Sequence, residues 1–409
     1  MQYKHRSRIY IVTLLFVMMI GLICPSNFAS VFAGEAKATV KTHFIDVGQG
    51  DCTFVELPDG KTLLIDAGEE KAGSKVVKYI KKLGYSSIDY VVATHSDSDH
   101  VGGLIKVIEK LDCKTIYRPF TISTNTSLSG FDDELFSKFE SNIQNLATDA
   151  DTIYAKFLRA AYNEKTNGIP ATIRVCTDKE SILSEDPKNP YMIRFFLPFG
   201  LEEFKTERIE RGYTTEFVSE SNDSSALILL ALENSKYLFA GDVTATKEVE
   251  LIDKLSNFDK EQLSSVTLLK VGHHGSEGST SLSLLSLTNP AHAVIMVGEG
   301  NEYGHPHDQV LIYLKEFGCK THRTDELGTI VVEEIAGVLY FSNIETLTFF
   351  QRNQWLFYTI LGIIVVGLLV LIYIYPKIAN RKKGEKIFWG FKKGKSGRFE
   401  EGAEDKNFK

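Results

Sequence analysis

The feature that most restricts the fold of this chain is a series of histidine and aspartate clusters, each placed at the end of a predicted strand. The first cluster, residues 94–100 (THSDSDH), follows a strand predicted over 89–94 and offers four metal-capable side chains. Later clusters are residues 241–242 (GD), 272–276 (GHHGS) and 303–307 (YGHPH). A lone histidine or aspartate at a strand end is usually a structural hydrogen-bonding residue, but an ordered series of clusters favours one shared site.

The distribution of histidines points the same way. Nine of the ten histidines lie in residues 34–354, and none lies between 101 and 272. The two imidazoles and two carboxylates of the first cluster suit Zn²⁺, and a larger share of oxygen ligands shifts the preference toward Mn²⁺. The sequence therefore predicts a divalent-metal site built from strand ends.

Short strands and helices alternate in two similar sets. The first set is predicted as strands at 42–47, 53–57, 62–66 and 89–94 with helices at 75–83 and 102–111. The second is predicted as strands at 225–232, 236–240, 265–271 and 292–297 with helices at 245–256 and 308–317. Two such sets favour an α/β fold of two sheets packed face to face with helices outside. Residues 119–221 interrupt the pattern and are predicted to be an insertion, with strand-like pieces at 171–176 and 192–197.

The two longest apolar runs lie near the ends of the chain. Residues 9–24 follow a basic stub and precede small residues typical of a cleavage site, so 1–33 are predicted to be a signal peptide, with an uncleaved anchor as the alternative. Residues 355–375 hold no charged side chain and match the roughly 20 residues that span a bilayer, which predicts a transmembrane helix. The basic tail 376–409 then places the C-terminus in the cytoplasm and residues 34–354 outside the cell.

Charge is distributed unevenly along the chain. The net charge of −7 combines +3 in residues 1–8 with +6 in 376–409, so residues 9–375 carry about −16. Capture of nucleic acid normally needs a basic face, which an acidic body does not offer. Stable nucleic-acid binding is therefore not expected, and the membrane is the partner that the sequence predicts.

Several motifs together resemble the metallo-β-lactamase superfamily. They are His95-x-Asp97-x-Asp99-His100, the earlier Asp66 in residues 64–68 (LIDAG), the later Asp242 and the pair His273-His274. The stretches 44–51 (FIDVGQGD), 222–225 (NDSS), 269–276 (LKVGHHGS), 303–306 (YGHP) and 323–329 (RTDELGT) resemble the hydrolase domain of ComEC-type competence proteins and their stand-alone relatives. The resemblance covers about residues 40–341, apart from 119–221.

This resemblance implies an αβ/βα sandwich with a site for one or two metal ions at the sheet edge. It assigns His95 and Asp97 to a first ion, Asp99, His100 and one of His273 and His274 to a second, and Asp242 to a bridging position. Asp66 would orient the ligands from behind, as outer carboxylates commonly do.

Two positions depart from the usual pattern of the superfamily. Asp97 stands where a histidine is commonest, and the histidine expected between the first cluster and Asp242 is absent. Asn222, Asp223 or Ser224 lies where that ligand would arise. Both departures make the first site richer in oxygen, which raises Mn²⁺ relative to Zn²⁺.

The implied chemistry is hydrolysis by a metal-activated hydroxide, with two divalent ions, Zn²⁺ or Mn²⁺, as cofactors. Asp99 or Asp242 would orient the hydroxide or accept its proton. His305, His307 and Arg323 are the candidates for leaving-group protonation and oxyanion contact.

Structural alternatives exist for several of these residues. His305 could instead be a turn histidine packed before a proline, and Arg323 could form a surface ion pair with Asp325. Asp46 and Asp51 belong to a glycine-rich acidic turn that is expected to order the loop beneath the metals, with substrate contact through its N–H groups as the alternative.

The sequence thus predicts a membrane-anchored extracellular hydrolase whose substrate contains a phosphodiester, either in nucleic acid or in a cell-wall polymer. A carboxylic ester or lactone hydrolase is the enzymatic alternative. A degenerate ligand-binding sensor domain is the alternative from another class, although the intact set of metal-capable residues disfavours it.

Overall fold

The computed structural model describes residues 40–119, 152–166, 168–178, 181–198 and 221–343. The predicted signal peptide at 1–33 and the predicted span at 355–375 lie outside the described residues. Within the described ranges, no helix combines the length and apolar character needed to cross a membrane.

The first sheet is formed by eight strands. They are β1 (Val40–Phe44), β2 (Thr53–Glu56), β3 (Thr62–Ile65), β4 (Ser87–Val92), β5 (Asp112–Arg118), β8 (Thr172–Val175), β16 (Ile330–Ile335) and β17 (Val338–Asn343). Their order across the sheet is β17-β16-β1-β2-β3-β4-β5-β8. Strands β3, β4, β5 and β8 run parallel to one another, and the other pairs are antiparallel.

The second sheet is formed by seven strands. They are β9 (Ser181–Leu183), β10 (Tyr191–Phe196), β11 (Leu227–Leu232), β12 (Lys236–Ala240), β13 (Leu268–Lys270), β14 (His292–Ile295) and β15 (Lys320–Arg323), in the order β15-β14-β13-β12-β11-β10-β9. Strands β12 to β15 are parallel. A separate pair joins β6 (Lys165–Thr166) and β7 (Ile169–Pro170).

Helices connect and cover these strands. They are α1 (Gly73–Lys82), α2 (Ser98–Lys110), α3 (Ile153–Asn163), α4 (Ala245–Lys254), α5 (Asn257–Leu263), α6 (Leu282–Thr288), α7 (Asp308–Glu316) and α8 (Thr324–Leu327). Short 3₁₀ turns lie at Glu70–Ala72, Asn222–Ser224 and Gly272–Gly275.

The layered arrangement follows from the alternation of apolar side chains along the strands. In β11, Ile228 and Leu230 join the core that also contains residues of the first sheet, whereas Leu227 and Leu229 pack in a second core. Helices α4, α6 and α7 supply residues to that second core. Both faces of β11 are therefore buried, as expected for a sheet that lies between another sheet and a layer of helices.

Helix α2 begins earlier than the sequence indicates. A helix was expected from about residue 102 after a polar loop, but α2 begins at Ser98, with extended backbone at Asp97 just before it. The carboxylate of Asp99 in the first turn suits the positive end of the helix dipole, and this local effect offsets the polar composition. Asp99 and His100 consequently lie on a helical turn and not on a loop.

The region predicted as an insertion contributes to both sheets. The strand-like pieces predicted at 171–176 and 192–197 are confirmed as β8 and β10. Strand β8 extends the first sheet beside β5, and β10 lies between β9 and β11 in the second. The described part of 119–221 is thus built into the sandwich, while 120–151 and 199–220 lie outside the described residues.

Candidate metal centre

The site residues follow the carboxyl ends of parallel strands. Asp66 comes after β3, His95 after β4, Asp242 after β12, and His273 and His274 after β13. The edges of the two sheets meet here, because the Ala226 amide donates a hydrogen bond to the Thr94 carbonyl across 3.2 Å. Ligand sites at the carboxyl ends of parallel strands are a general property of α/β folds.

Asp242 lies at the centre of a ring of imidazoles. Its Oδ2 atom is 3.2 Å from Nε2 of His100, 3.5 Å from that of His274, 3.7 Å from that of His273 and 4.0 Å from that of His95. Two donors that bind one tetrahedral Zn²⁺ at about 2.0–2.1 Å lie about 3.3 Å apart. The distances from Asp242 to His100 and His274 are therefore those of ligands that share a cation.

Two further carboxylates complete the ring. Asp99 Oδ2 is 3.2 Å from His274 Nε2 and 4.0 Å from His100 Nε2, and Asp97 Oδ2 is 3.6 Å from His95 Nε2. The structure thus brings His95 together with Asp97, and Asp99 together with His100 and His274. These are the two groups that the family resemblance implies, and the roles of their members in binding metal stay predictions.

The Nδ1 atom of each buried ring has a hydrogen-bond partner on the side away from Asp242. His100 Nδ1 is 2.8 Å from Asp66 Oδ2, and His95 Nδ1 is 3.0 Å from Thr94 Oγ1, whose proton goes to Asp66. His274 Nδ1 is 3.0 Å from the main-chain carbonyl of Met296. Because these partners accept hydrogen bonds, each Nδ1 carries a proton, which leaves Nε2 as the nitrogen that can bind a metal ion.

The atoms on the Nε2 side include several without a hydrogen-bond partner. Among the described residues, Nε2 of His95, Nε2 of His100 and Oδ1 of Asp242 are buried with no partner. Buried polar atoms left unsatisfied are costly, so a group of them facing one point calls for a bound cation. The donor set of imidazole nitrogens and carboxylates suits a divalent metal ion.

The charges in the centre attract cations strongly. Burial opposes ionisation of Asp242, but His100 and His274 hold the pKa of this carboxyl well below its usual range. Burial would lower the pKa of His274, yet the carboxylates of Asp242 and Asp51 raise that pKa to about 10. Divalent ions, if bound at the ring, would take the place of the protons that this excess of negative charge attracts.

Four side chains in the described part of the chain form a group that could hold a metal ion. They are Asp51, His100, Asp242 and His274, with one ligand atom of each within 4.8 Å of the others. Asp51 differs from the other three because its oxygens face the Nδ1 atoms, at 3.2 Å from His274 and 3.9 Å from His100. We therefore assign Asp51 to the layer behind the rings.

Three of the site residues adopt left-handed backbone conformations. The φ angles are 56° at Asp66, 45° at His273 and 53° at His274. Such conformations cost residues other than glycine roughly 1–3 kcal/mol each, and they concentrate at functional sites. The main chain compensates at the histidine turn, where the His273 amide donates a hydrogen bond to the Gly241 carbonyl across 3.1 Å.

The segment at 221–225 lies beside His95 and Asp97. The Ser221 hydroxyl donates a short hydrogen bond to Asp97, Asp223 accepts one from Thr244 at 2.5 Å, and Ser224 donates to the Ser221 carbonyl at 2.7 Å. Asn222 Oδ1, in contrast, is buried without a hydrogen-bond partner in the described part of the chain. Of the three residues predicted to replace the missing histidine, Asn222 is the one with a buried side-chain oxygen that has no hydrogen-bond partner in this part of the structure.

His305 and His307 lie beside the ring on the loop that follows β14. The ring of His305 is 5.6 Å from that of His273 and 4.9 Å from that of His307. Burial and the neighbouring histidines lower the pKa of His305 to about 4, so this ring is neutral at pH 7. His307 Nδ1 accepts a hydrogen bond from the Glu277 amide at 3.0 Å, which leaves the proton on its Nε2.

Two other predicted residues have partners of their own. Arg323 forms two hydrogen bonds with Asp325, at 3.0 and 2.6 Å, and an ion pair with Glu326 at 3.0 Å. Asp46 accepts hydrogen bonds from the Gly48 amide and from Lys75. The geometry favours the ion-pair interpretation of Arg323 and a loop-ordering role for Asp46.

Sequence reasoning did not identify Lys270, Ser221 or Thr94. A signal existed for Lys270, because a lysine within the otherwise apolar run 268–271 is unusual for a buried strand. Ser221 contacts Asp97 across 124 positions of the sequence, so nothing local indicated it.

These features define a class of protein. The sequence matches the metallo-β-lactamase superfamily over residues 45–299, more than half of the chain. The chain belongs to this superfamily, whose members are generally metal-dependent hydrolases, and the mixed α/β sandwich with its candidate metal site agrees with that membership.

Two curated relatives are competence and recombination proteins. The chain is 24% identical over 327 residues to ComE operon protein 3 of Bacillus subtilis, a match that covers 76% of this chain and 35% of that protein. It is 22% identical over 317 residues to Recombination protein 2 of Haemophilus influenzae, covering 76% of this chain and 31% of that protein. The chain thus spans about a third of the length of these relatives. The resemblance to ComEC-type proteins is confirmed.

Among solved structures, the metallo-β-lactamase fold protein YhfI of Bacillus subtilis matches with a TM-score of 0.38 and 11% identity. That match covers 75% of this chain and all of YhfI.

Proposed function

We propose that this chain is a metal-dependent hydrolase that cleaves a phosphodiester outside the cell. One observation carries the proposal. The Nε2 atoms of His95, His100 and His274 converge on Asp242, while acceptors behind the rings hold each Nδ1 proton. This arrangement prepares three neutral imidazoles to bind cations beside a bridging carboxylate.

The charge balance supports two divalent ions. Five carboxylates and one buried ammonium surround the ring, contributed by Asp51, Asp66, Asp97, Asp99, Asp242 and Lys270. With neutral histidines their net charge is −4, which two divalent cations neutralise. A single ion would leave two negative charges uncompensated in a largely buried space, which is unfavourable.

The ligands around His95 favour Mn²⁺ at the first position. Asp97 and Asp242 face a single imidazole there, and the segment that contains Asn222 lies beside it. Oxygen-rich sites suit harder ions such as Mn²⁺, whereas a second group with two imidazoles is compatible with Zn²⁺ as well.

The chain's own residues would organise the reaction. Divalent ions, when bound, activate water for attack and polarise the ester oxygen that gains charge. The Asp99 side chain is 25% exposed, compared with 4% for Asp242, so of these two carboxylates Asp99 is the one that an incoming water molecule can reach. Asp99 would orient that water and receive its proton, and Asp242 would hold the two halves of the ring together.

His305 fits a different role from the leaving-group acid expected from the sequence. A ring with a pKa of about 4 holds no extra proton at pH 7. A neutral imidazole can still donate one hydrogen bond to a substrate oxygen. We therefore assign His305 to substrate positioning, beside the exposed ring of Tyr303, which stacks on it at 5.7 Å.

The substrate class rests on the relatives. The name of one of them refers to recombination, which is a process of DNA, and the ester linkage in DNA is a phosphodiester. The acidic body disfavours tight capture of long nucleic acid, so we propose local hydrolysis of a phosphodiester in nucleic acid or in an anionic wall polymer. The signal peptide at 1–33 and the span at 355–375 would place the centre outside the membrane, with the C-terminus in the cytoplasm.

A substrate panel tests this proposal. The full-length chain, treated with chelator and then supplied with Mn²⁺ or Zn²⁺, is assayed on bis-(p-nitrophenyl) phosphate, single-stranded DNA, double-stranded DNA and p-nitrophenyl acetate. We expect turnover of a phosphodiester. Turnover of the acetate alone would replace the phosphodiester with a carboxylic ester, and bound metal without any turnover would favour a sensor domain.

A further inference from the structure

A lysine ammonium is buried directly behind the metal centre. Lys270, in β13, has a side chain that is 2% exposed. Its Nζ atom donates a short hydrogen bond to Asp51 and another, at 3.0 Å, to the main-chain carbonyl of Ala240. Asp51 is equally buried, with 5% of its side chain exposed. The two residues therefore form an ion pair in the interior of the sandwich.

The carboxylate of this pair contacts the rear of the histidine ring. Asp51 Oδ1 is 3.2 Å from His274 Nδ1, and Oδ2 is 3.9 Å from His100 Nδ1. Both nitrogens belong to rings whose Nε2 atoms face Asp242. The Nδ1 protons of these rings are donated to the Met296 carbonyl and to Asp66, so Asp51 acts on the rings as a nearby negative charge. That charge favours the proton on Nδ1 and increases the basicity of Nε2 as a ligand.

The main chain at Asp51 is tied to the same centre. Its amide donates a hydrogen bond to the Asp99 carbonyl at 3.2 Å, and its carbonyl accepts one from Gly68 at 2.8 Å. A side chain at Gly50 would overlap the Asp99 carbonyl, so the turn lies directly against the first turn of α2. The carboxylate of Asp51 is therefore held at a fixed position relative to the ligands.

Stability alone does not account for a buried ion pair at this place. Removing two charges from water costs several kcal/mol per ion, and replacing such a pair with apolar side chains is often neutral or stabilising. A role in positioning the adjacent histidines would explain why the ion pair is buried here, whereas packing alone does not.

We propose that Lys270 and Asp51 act together as positioning residues for the metal centre. Lys270 compensates the charge of Asp51 and holds the carboxylate behind His274 and His100, so that their Nε2 atoms face the cations. This inference rests on the metal centre of the proposed function and is independent of its phosphodiester substrate.

Three variants of the full-length chain separate positioning from stability. Lys270→Met removes the ammonium while keeping its bulk, Asp51→Asn removes the negative charge while keeping the shape, and the double variant removes both charges. Two quantities are measured for each: the unfolding midpoint in chelator, and the Mn²⁺ affinity of the folded chain by calorimetry.

We expect each single variant to unfold at lower temperature, because it leaves one buried charge without its partner. The double variant should recover most of the lost midpoint and still bind Mn²⁺ about 10- to 100-fold more weakly than the wild type. Wild-type Mn²⁺ affinity in the double variant would overturn the positioning role. If that variant does not fold, Asp51→Asn combined with Lys270→Gln is judged by the same criterion.

A matched control removes an ion pair elsewhere. Arg194 in β10 pairs with Asp259 at 2.7 Å, and Arg194→Met should lower the midpoint without changing Mn²⁺ affinity. Failure of the wild type to bind Mn²⁺ or Zn²⁺ would contradict the metal centre itself. Equal binding by the wild type and the double variant would contradict only the roles of Lys270 and Asp51.

Discussion

Each imidazole in the centre has two nitrogens, and the residue behind the ring decides which one carries the proton. Asp66 determines the position of the proton in two of these rings. Its Oδ2 accepts from His100 Nδ1 at 2.8 Å and from the Thr94 hydroxyl at 2.7 Å, and that hydroxyl in turn accepts from His95. One fully buried carboxylate thereby prepares a ligand in each half of the ring.

Asp66→Asn should weaken metal binding without removing a ligand. The amide can still accept from the Thr94 main chain, as Asp66 Oδ1 does at 2.9 Å, but its NH₂ group would then face the protons on His100 and Thr94. We expect the Mn²⁺ affinity, measured by calorimetry, to fall about 10- to 100-fold. Asp89→Asn, which removes a carboxylate hydrogen-bonded to Thr62 in the same sheet, is the control and should leave the affinity unchanged. Equal affinities in the two variants would contradict this role of Asp66.

Burial shifts the pKa of a carboxylate outside the metal centre, that of Glu248. Glu248 in α4 accepts hydrogen bonds from the Thr280 amide at 2.9 Å and the Ser281 amide at 2.6 Å. Burial outweighs these bonds and raises the pKa of Glu248 from 4.5 to about 7. Since the folded-state pKa is the higher one, the stability that this group contributes is complete below about pH 4.5 and is lost as the pH rises through 7.

Glu248→Gln tests this pH dependence, because a glutamine does not titrate. We expect the unfolding free energy of the wild type minus that of the variant to fall by about 2–3 kcal/mol between pH 5 and pH 8. Urea denaturation in chelator gives both values, and the shared titration of the histidines cancels in the difference. A difference that stays constant over this range would place the pKa of Glu248 near its ordinary value.

Residue types and spacing indicated the residues that the structure brings together in the ring, and the family resemblance added Asp66 behind it, but Lys270 and Ser221 were not indicated. His95, Asp97, Asp99, His100 and Asp242 were identifiable because they are clustered in sequence after predicted strands. Lys270 and Ser221 contact the site from positions 219 and 124 residues away from their partners, and only the folded chain brings such pairs together.

At the scale of elements, helix α2 is the part that fixes the geometry of the centre. Its first turn carries Asp99 and His100, and the Gly103 amide donates a hydrogen bond to the Gly68 carbonyl at 2.8 Å. A side chain at Gly103 would overlap the carbonyl of Ala67, so the helix lies against the loop that carries Asp66. The absence of a side chain at Gly103 therefore allows α2 to lie this close to the loop that carries Asp66.

The substitution Gly103→Ala should move helix α2 away from the loop that carries Asp66. Alanine favours a helix over glycine by about 1 kcal/mol, but the overlap with the Ala67 carbonyl should outweigh this gain and cost about 1–3 kcal/mol net. Thermal unfolding should show a lower midpoint, and calorimetry should show weaker Mn²⁺ binding because His100 moves with α2. Gly278→Ala, where the nearest atom is 3.5 Å from the added carbon, is the matched control. Identical behaviour of the two variants would contradict the close-packing argument.

Element boundaries also show where sequence reasoning ends. Much of the strand and helix order was predictable from periodicity, but β5, α5 and α6 were not predicted. The early start of α2 was also missed, because residues 94–100 have the composition of a loop. The strands at β8 and β10 were predicted, but their pairing with β5 and β11 depends on contacts between distant parts of the chain. The local sequence pattern indicates a strand or a helix, but long-range packing determines where that element lies in the fold.

In the whole molecule, the net charge of the chain determines which ligands can approach the metal centre. The body at 9–375 carries about −16, and the carboxylates around the ring belong to that total. Two divalent ions would neutralise the net −4 of the centre, while the rest of the body would still repel a long polyanion. Phosphodiester hydrolysis without tight nucleic-acid binding is the combination that this distribution favours.

The most direct test of a catalytic metal centre is the rate of phosphodiester hydrolysis as a function of the added Mn²⁺ concentration. It is measured on the chelator-treated full-length chain and on the Asp242→Asn variant. The wild-type rate should rise from background to a plateau as Mn²⁺ is added. The variant should stay at least about 100-fold slower at the same Mn²⁺ concentration, which is the upper end of the loss caused by removing an outer partner of a ligand. Equal rates for the two chains, or wild-type turnover that persists in chelator, would contradict a phosphodiesterase centred on Asp242.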